Sequence, residues 1–216
     1  MPHLAVLDPG TRIPELDSFN RIARNSPITA TYHLPAQQGM ASLRAQPDVA
    51  GVVILGSGAS VNDGEPWQIE MNAWLREHLG SVPMLGLCYG HQLLAHLLGG
   101  EVGFLFDDHE KLKGLREVPL LATDLWQDQT TPMVVSHREH VLRTPPGCVA
   151  LGSTVHVPVE AFKHAELPLW GLQAHPEATP AFTTNNSIPF DADPSVLAGG
   201  HAIVDAFSAY VARHAT

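Results

Sequence analysis

Apolar residues fall along this chain in short bursts separated by polar, glycine and proline positions. Residues 4–7, 28–34, 52–55 and 84–87 are apolar-rich and too short for helices, so each predicts a short buried strand. Between the last two, Trp67, Ile69, Met71, Trp74 and Leu75 recur broadly at helical spacing, which predicts a helix over 65–79. Residues 90–98 repeat that pattern, with Leu93, Leu94, Leu97 and Leu98 on one face and Gly99-Gly100 as the stop. Strands alternating with helices predict an α/β fold, a mostly parallel central sheet flanked by helices. The second half changes rhythm. Residues 102–106, 118–123, 133–136, 149–154, 159–162 and 170–174 read as closely spaced strands, and 198–213 reads as a closing helix. Residues 176–194, rich in Pro, Asn, Thr and Asp, predict an irregular loop. No repeat or linker interrupts the pattern, so residues 1–216 read as one domain.

Composition removes whole classes of function. Of 216 residues, 44% are hydrophobic and 16% charged, the profile of a soluble globular protein. Twelve Lys and Arg face 22 Asp and Glu, giving a formal charge of −10. Such a chain repels phosphate backbones and anionic lipid, which argues against a nucleic-acid or membrane-surface protein. The apolar runs fall short of the roughly 18 residues a membrane helix needs. The first residues lack the basic and apolar regions of a secretion signal. Cytoplasm is the expected compartment. Two cysteines, Cys88 and Cys148, are too few for a disulfide framework.

One cysteine has special surroundings. An apolar strand runs through Pro83-Met84-Leu85-Gly86-Leu87 into Cys88, and Tyr89-Gly90-His91-Gln92 opens a helix at once. This is a nucleophile elbow with Cys in place of Ser. Glycines two before and two after Cys88 let the strained strand-to-helix turn pack closely. The helix end brings partial positive charge to the sulfur, and the N–H of Tyr89 points where an oxyanion would form. Most free cysteines are structural. Cys148, which follows Pro145-Pro146-Gly147, keeps that ordinary reading.

A thiol nucleophile needs an imidazole to take its proton and pass it to the leaving amine. Thirteen histidines compete for the role. His175 ends an apolar strand, Pro176 stiffens the exit, and Glu177 stands two residues on. In an extended segment both side chains point the same way, so Glu177 would orient the ring. The bland alternative is a strand end on the surface. His109, His137 and His140 match no strong zinc spacing, and no metal or other cofactor is expected.

The elbow over 86–94 and His175-Pro176-Glu177 downstream together resemble the class I glutamine amidotransferase domain, with the glutaminase part of GMP synthase and its stand-alone relatives as the nearest likeness. Val53-Ile54-Leu55-Gly56-Ser57-Gly58 resembles that family's glycine-rich oxyanion loop, and Val135-Ser136-His137 its Ser-His segment. The resemblance implies a flavodoxin-like core and hydrolysis of glutamine through a γ-glutamyl thioester, releasing ammonia. It implies Cys88 as nucleophile, His175 as base then acid, and Glu177 as the orienting carboxylate. The N–H groups of Gly58 and Tyr89 would form the oxyanion hole, Gln92 would help hold the substrate amide, and Gly56, Ser136 and His137 would line its amino-acid end. A separate synthetase subunit is the implied partner. Where the family continues Ser-His-Gly-Asp, this chain has Arg138-Glu139, which would reshape the pocket. A γ-glutamyl peptidase on the same triad and a catalytically silent regulatory module are the two other functions weighed.

Overall fold

Period-two alternation along the strands assigns side chains to the layers of the molecule. In the computed structural model, which describes residues 1–215, β1 (His3–Leu7) sends Leu4 and Val6 to one core and Ala5 and Leu7 to the other. The chain continues through α1 (Leu16–Asn25), β2 (Ala30–His33), α2 (Pro35–Gln38), α3 (Ala41–Arg44), β3 (Val49–Ile54) and α4 (Pro66–His78). Then come β4 (Met84–Leu87), α5 (Tyr89–Leu97), β5 (Val102–Phe104), β6 (Leu112–Leu120), β7 (Gln129–His137) and β8 (Glu139–Val141). The last elements are β9 (Cys148–Gly152), β10 (Ala161–His164), β11 (Leu169–Leu172), α6 (Pro180–Asn185) and α7 (Ala198–His214).

A seven-stranded sheet has the order β2-β1-β3-β4-β11-β10-β9. Its first five strands pair in parallel, and β10 and β9 close the edge antiparallel. Ile22 of α1 and Ile203, Val204, Phe207 and Val211 of α7 pack on one face, against Val53, Leu85, Leu87 and Trp170. Leu43 of α3, Met71 and Leu75 of α4, and Leu93 and Leu94 of α5 pack on the other, against Val52, Ile54 and Met84. The predicted α/β architecture is what the chain adopts.

Several local expectations need correction. Helix α1 is missing from the expected elements: its apolar stripe is short, with Ile22 buried and Phe19 packed against the same core among mostly polar neighbours. Residues 176–194 are not wholly irregular: α6 forms within them, capped by the Thr179 hydroxyl, which accepts from Phe182 N, with Pro180 at its start. Strands β6 and β7 each run for nine residues and pair as a ribbon from Leu112↔His137 to Leu120↔Gln129. Their exposed Arg116 and Glu117 hide that length from a reading of apolar runs. Residues Pro194–His214 are long and apolar enough to cross a bilayer by composition, contrary to the short runs expected. Four apolar side chains of that stretch are committed to the sheet, as a core helix requires.

Candidate active site

The site forms where β3, β4 and β11 end side by side. Leu87 lies opposite Leu172, so Cys88 and Gln173 are the next residues out of two adjacent strands. The Cys88 N–H donates to the Leu172 carbonyl at 2.8 Å, which locks that junction. Open parallel sheets bind ligands at these carboxyl ends.

Steric necessity explains the elbow. Cys88 sits at φ 52° and ψ −101°, a left-handed conformation that few side chains adopt. A Cβ on Gly86 would lie 2.3 Å from the Gly90 carbonyl oxygen, and one on Gly90 would lie 2.3 Å from that of Ile54. The two glycines let α5 start directly against β4 and β3. The Tyr89 N–H is the first of α5 and has no acceptor within its own helix.

Cys88 is 3% exposed and His175 4% exposed. His175 Nδ1 meets Glu177 Oε1 at 2.9 Å, and Glu177 is itself buried. Burial works against charge on the ring. Negative charge at Cys88, then at Glu177, outweighs burial and raises the His175 pKa well above its ordinary value. The extended segment expected between His175 and Glu177 is a turn instead. Ala178 N donates to the His175 carbonyl at 3.2 Å, and Pro176 occupies the second turn position, where its fixed φ suits the bend. The turn is anchored by His175 N, which donates to the Val134 carbonyl at 2.8 Å, and by Gly200, which lets α7 approach Pro176. Gly56 serves the same ring: a Cβ there would lie 2.7 Å from His175 Cε1 and 3.8 Å from Cys88 Cβ.

Two spaces share Cys88 in their walls. An inner cavity of about 20 Å³ is lined by Gly58, Cys88, Gln92, Ser136 and His137, among others. It opens beside a cleft of about 940 Å³ that reaches Gly56, Gly58, Cys88, Ser136 and His175. Gln92 Nε2 donates to the Glu139 carbonyl at 2.7 Å, and His137 Nδ1 meets the same oxygen at 3.0 Å. Burial pushes the His137 pKa down to about 4, so the ring is neutral, and its Nε2 is buried without a partner. Among the described residues, no three His, Cys, Asp or Glu side chains are placed to share a metal ion.

A family profile for class I glutamine amidotransferases matches residues 24–191. The chain belongs to that family. It is 34% identical over 178 residues to the glutamine-hydrolysing GMP synthase of Thermosynechococcus vestitus, covering 81% of this chain and 31% of that protein. It is 35% identical over 131 residues to one subunit of the glutamine-hydrolysing GMP synthase of Methanopyrus kandleri, covering 59% of this chain and 66% of that one. The chain thus spans less than two thirds of these relatives. The solved structure of a glutamine amidotransferase from Thermotoga maritima superposes with a TM-score of 0.75 at 17% identity, over 96% of this chain and 97% of that one. The class I amidotransferase fold is therefore shared at low identity.

Three residues of this class I site gain their importance only in the structure. Gln173 is fully buried; its amide donates to Cys88 Sγ at 3.8 Å and accepts from Gln92 Nε2 at 3.3 Å. Its one sequence signal is a Gln breaking an apolar strand. Arg138 stands out in sequence as a departure from the family, but its bond does not: Nη2 donates to the Gly58 carbonyl at 2.9 Å, tying the Ser-His segment to the glycine-rich loop after β3. Glu15 has no sequence signal. It lines the cleft and accepts from Asn186 Nδ2 at 2.8 Å. Burial raises its pKa to about 7 against the Asn186 bond that lowers it, with Asp8 and Glu177 adding repulsion. Its folded value lies above its unfolded one of 4.5, so the protonated carboxyl favours folding fully at lower pH. That contribution is lost as pH rises through about 7. Glu15→Gln keeps an acceptor for Asn186 and removes the charge. In thermal melts it should exceed the wild type in stability at about pH 8 and match it at about pH 4. A variant less stable than wild type at the higher pH would contradict this.

Proposed function

We propose that this chain hydrolyses the side-chain amide of glutamine through a thioester on Cys88 and releases ammonia. The observation that carries the proposal is the buried His175 held by Glu177 beside the sulfur at the elbow. With the proton already held on His175, the sulfur attacks the γ-carbonyl carbon. The N–H groups of Gly58 and Tyr89 hold the resulting oxyanion. The C–N bond breaks as His175 returns the proton to the leaving nitrogen, and ammonia departs. Water then attacks the thioester with His175 as base, and glutamate leaves. Gln92, Ser136 and His137 take the amino-acid end. The unpartnered Nε2 of a neutral His137 is an acceptor suited to the substrate's α-ammonium group.

Residues 1–216 act as one domain in this reading, in the cytoplasm, without metal or cofactor. Relatives named as single subunits of GMP synthase support the view that a separate synthetase subunit uses the ammonia. A second reading, a γ-glutamyl peptidase on the same triad, is favoured by the volume of the cleft, about 940 Å³, beside the sulfur.

The direct test is release of glutamate and ammonia from glutamine by the purified chain. Glu177→Gln should keep the fold and slow that release by about a hundredfold to ten-thousandfold, because the imidazole loses its orienting partner. In nuclear magnetic resonance titrations the wild-type His175 ring should stay protonated between about pH 6 and 8. In Glu177→Gln its midpoint should move down, since one of the charges raising it is gone. An unchanged midpoint would remove Glu177 from the pair.

A further inference from the structure

Four cations line the cleft on a chain that has few of them. Arg12, Lys111, Lys113 and Arg138 line it, among only 12 Lys and Arg in a protein of net charge −10. None of the four ends in an ion pair among the described residues; the pairs present are Met1–Asp48, Arg21–Asp205, Arg143–Glu101, Lys163–Asp124 and His175–Glu177. Lys113 Nζ and Arg138 Nη2 reach only neutral carbonyls, those of Asn186 at 3.4 Å and Gly58 at 2.9 Å. Three carboxylates share the cleft and are turned elsewhere: Glu15 to Asn186, Asp63 to the Ser60 N–H at 2.8 Å, and Glu65 to the Gln68 N–H at the start of α4. Lys111 holds its proton less readily, because of burial first; Cys88 opposes that shift, and the nearby Lys113 and Arg138 add to it. Like charges gathered without a counter-ion repel one another until an anion joins them. A carboxylate is a stronger acceptor for both side chains than the carbonyls they now touch.

The cations also divide between the two spaces. Lys111 and Arg138 line both the inner cavity and the cleft, whereas Lys113 and Arg12 line only the cleft. One glutamine carries one carboxylate, which Lys111 and Arg138 suffice to meet. We propose that Lys113 and Arg12 form a subsite for a second carboxylate, on the amine portion of an acidic γ-glutamyl amide. It rests on Cys88 as the nucleophile, and the chemistry is unchanged: the γ-glutamyl C–N bond breaks, the departing amine takes its proton from His175, and water completes the glutamate.

A matched pair of substrates tests this, γ-L-glutamyl-L-glutamate and γ-L-glutamyl-ethylamide, with glutamine alongside. The wild-type chain should favour the acidic amide in kcat/KM by about tenfold or more at low salt. That preference should shrink as ionic strength rises to about 0.5 M, because exposed charges are screened. In Lys113→Met the acidic-to-neutral ratio should fall about tenfold. Equal kcat/KM for the two amides, or an unchanged ratio in the variant, would overturn the subsite while glutamine turnover left the Cys88 reading standing. If the wild type turns over none of the three, Cys88 loses its role, and calorimetry on Cys88→Ala decides the subsite alone. Binding of the acidic amide about tenfold tighter than the neutral one upholds it, and equal binding overturns it.

Discussion

Replacing Cys88 with alanine is expected to lower glutamine hydrolysis by about ten-thousandfold or more and to leave the protein folded. Cys88 is the thiol that lines the cleft with His175. Cys148 is the only other thiol, and burial pushes its pKa up to about 11. The structural cost is small because one sulfur atom is removed and the backbone at φ 52° suits alanine no worse than cysteine. Stability should stay within about 1 kcal/mol of wild type. Coupled detection of ammonia and a urea melt followed by circular dichroism measure both quantities. A Cys88→Ala protein with the wild-type rate would remove the nucleophile from the proposal.

Alongside Gly86→Ala, whose Cβ would also meet backbone at 2.3 Å, Gly90→Ala is expected to give the largest loss of stability of a single methyl added at the elbow. The new Cβ would meet Ile54 from two directions, 2.3 Å from its carbonyl oxygen and 2.8 Å from its own Cβ. Both belong to β3 in the middle of the sheet, where neither backbone nor side chain can step aside. Overpacking of this kind costs about 1–3 kcal/mol and occasionally more, and a clash with backbone belongs at the top of that range. Activity should fall too, because α5 can relieve the clash only by shifting Cys88 and the Tyr89 N–H. Gly58→Ala is the control, since nothing lies within 4 Å of its missing Cβ. Urea midpoints should therefore separate the two variants clearly. Equal midpoints would mean that packing at Gly90 is looser than these distances require.

What is legible in the chain is what each segment encodes by itself. β1, β3 and β4 are short apolar runs, and the elbow is spelled out by Gly86, Cys88 and Gly90 in one stretch. Helix α7 is legible from its apolar periodicity. The pairing of Cys88 with His175 is not, because no local pattern says that β11 lies beside β4. Only the likeness of both segments to one family joins them. Gln173 escapes notice for the same reason, since its partners Cys88 and Gln92 lie 85 and 81 residues away. Glu15 is hidden differently: it is a lone polar residue whose partner, Asn186, lies 171 residues away. The turn at Pro176 shows how a correct partner can be predicted through the wrong backbone. His175 and Glu177 meet because the chain bends, not because it stays extended.

The sulfur of Cys88 acting on a γ-glutamyl carbonyl is the claim beneath all of this. Incubation with a diazoketone analogue of glutamine, followed by mass spectrometry of the intact chain and its peptides, tests it most directly. One adduct per chain, on the peptide holding Cys88 and suppressed by excess glutamine, is the predicted result. An adduct on Cys148 instead, or none on a protein that still releases ammonia from glutamine, would contradict it.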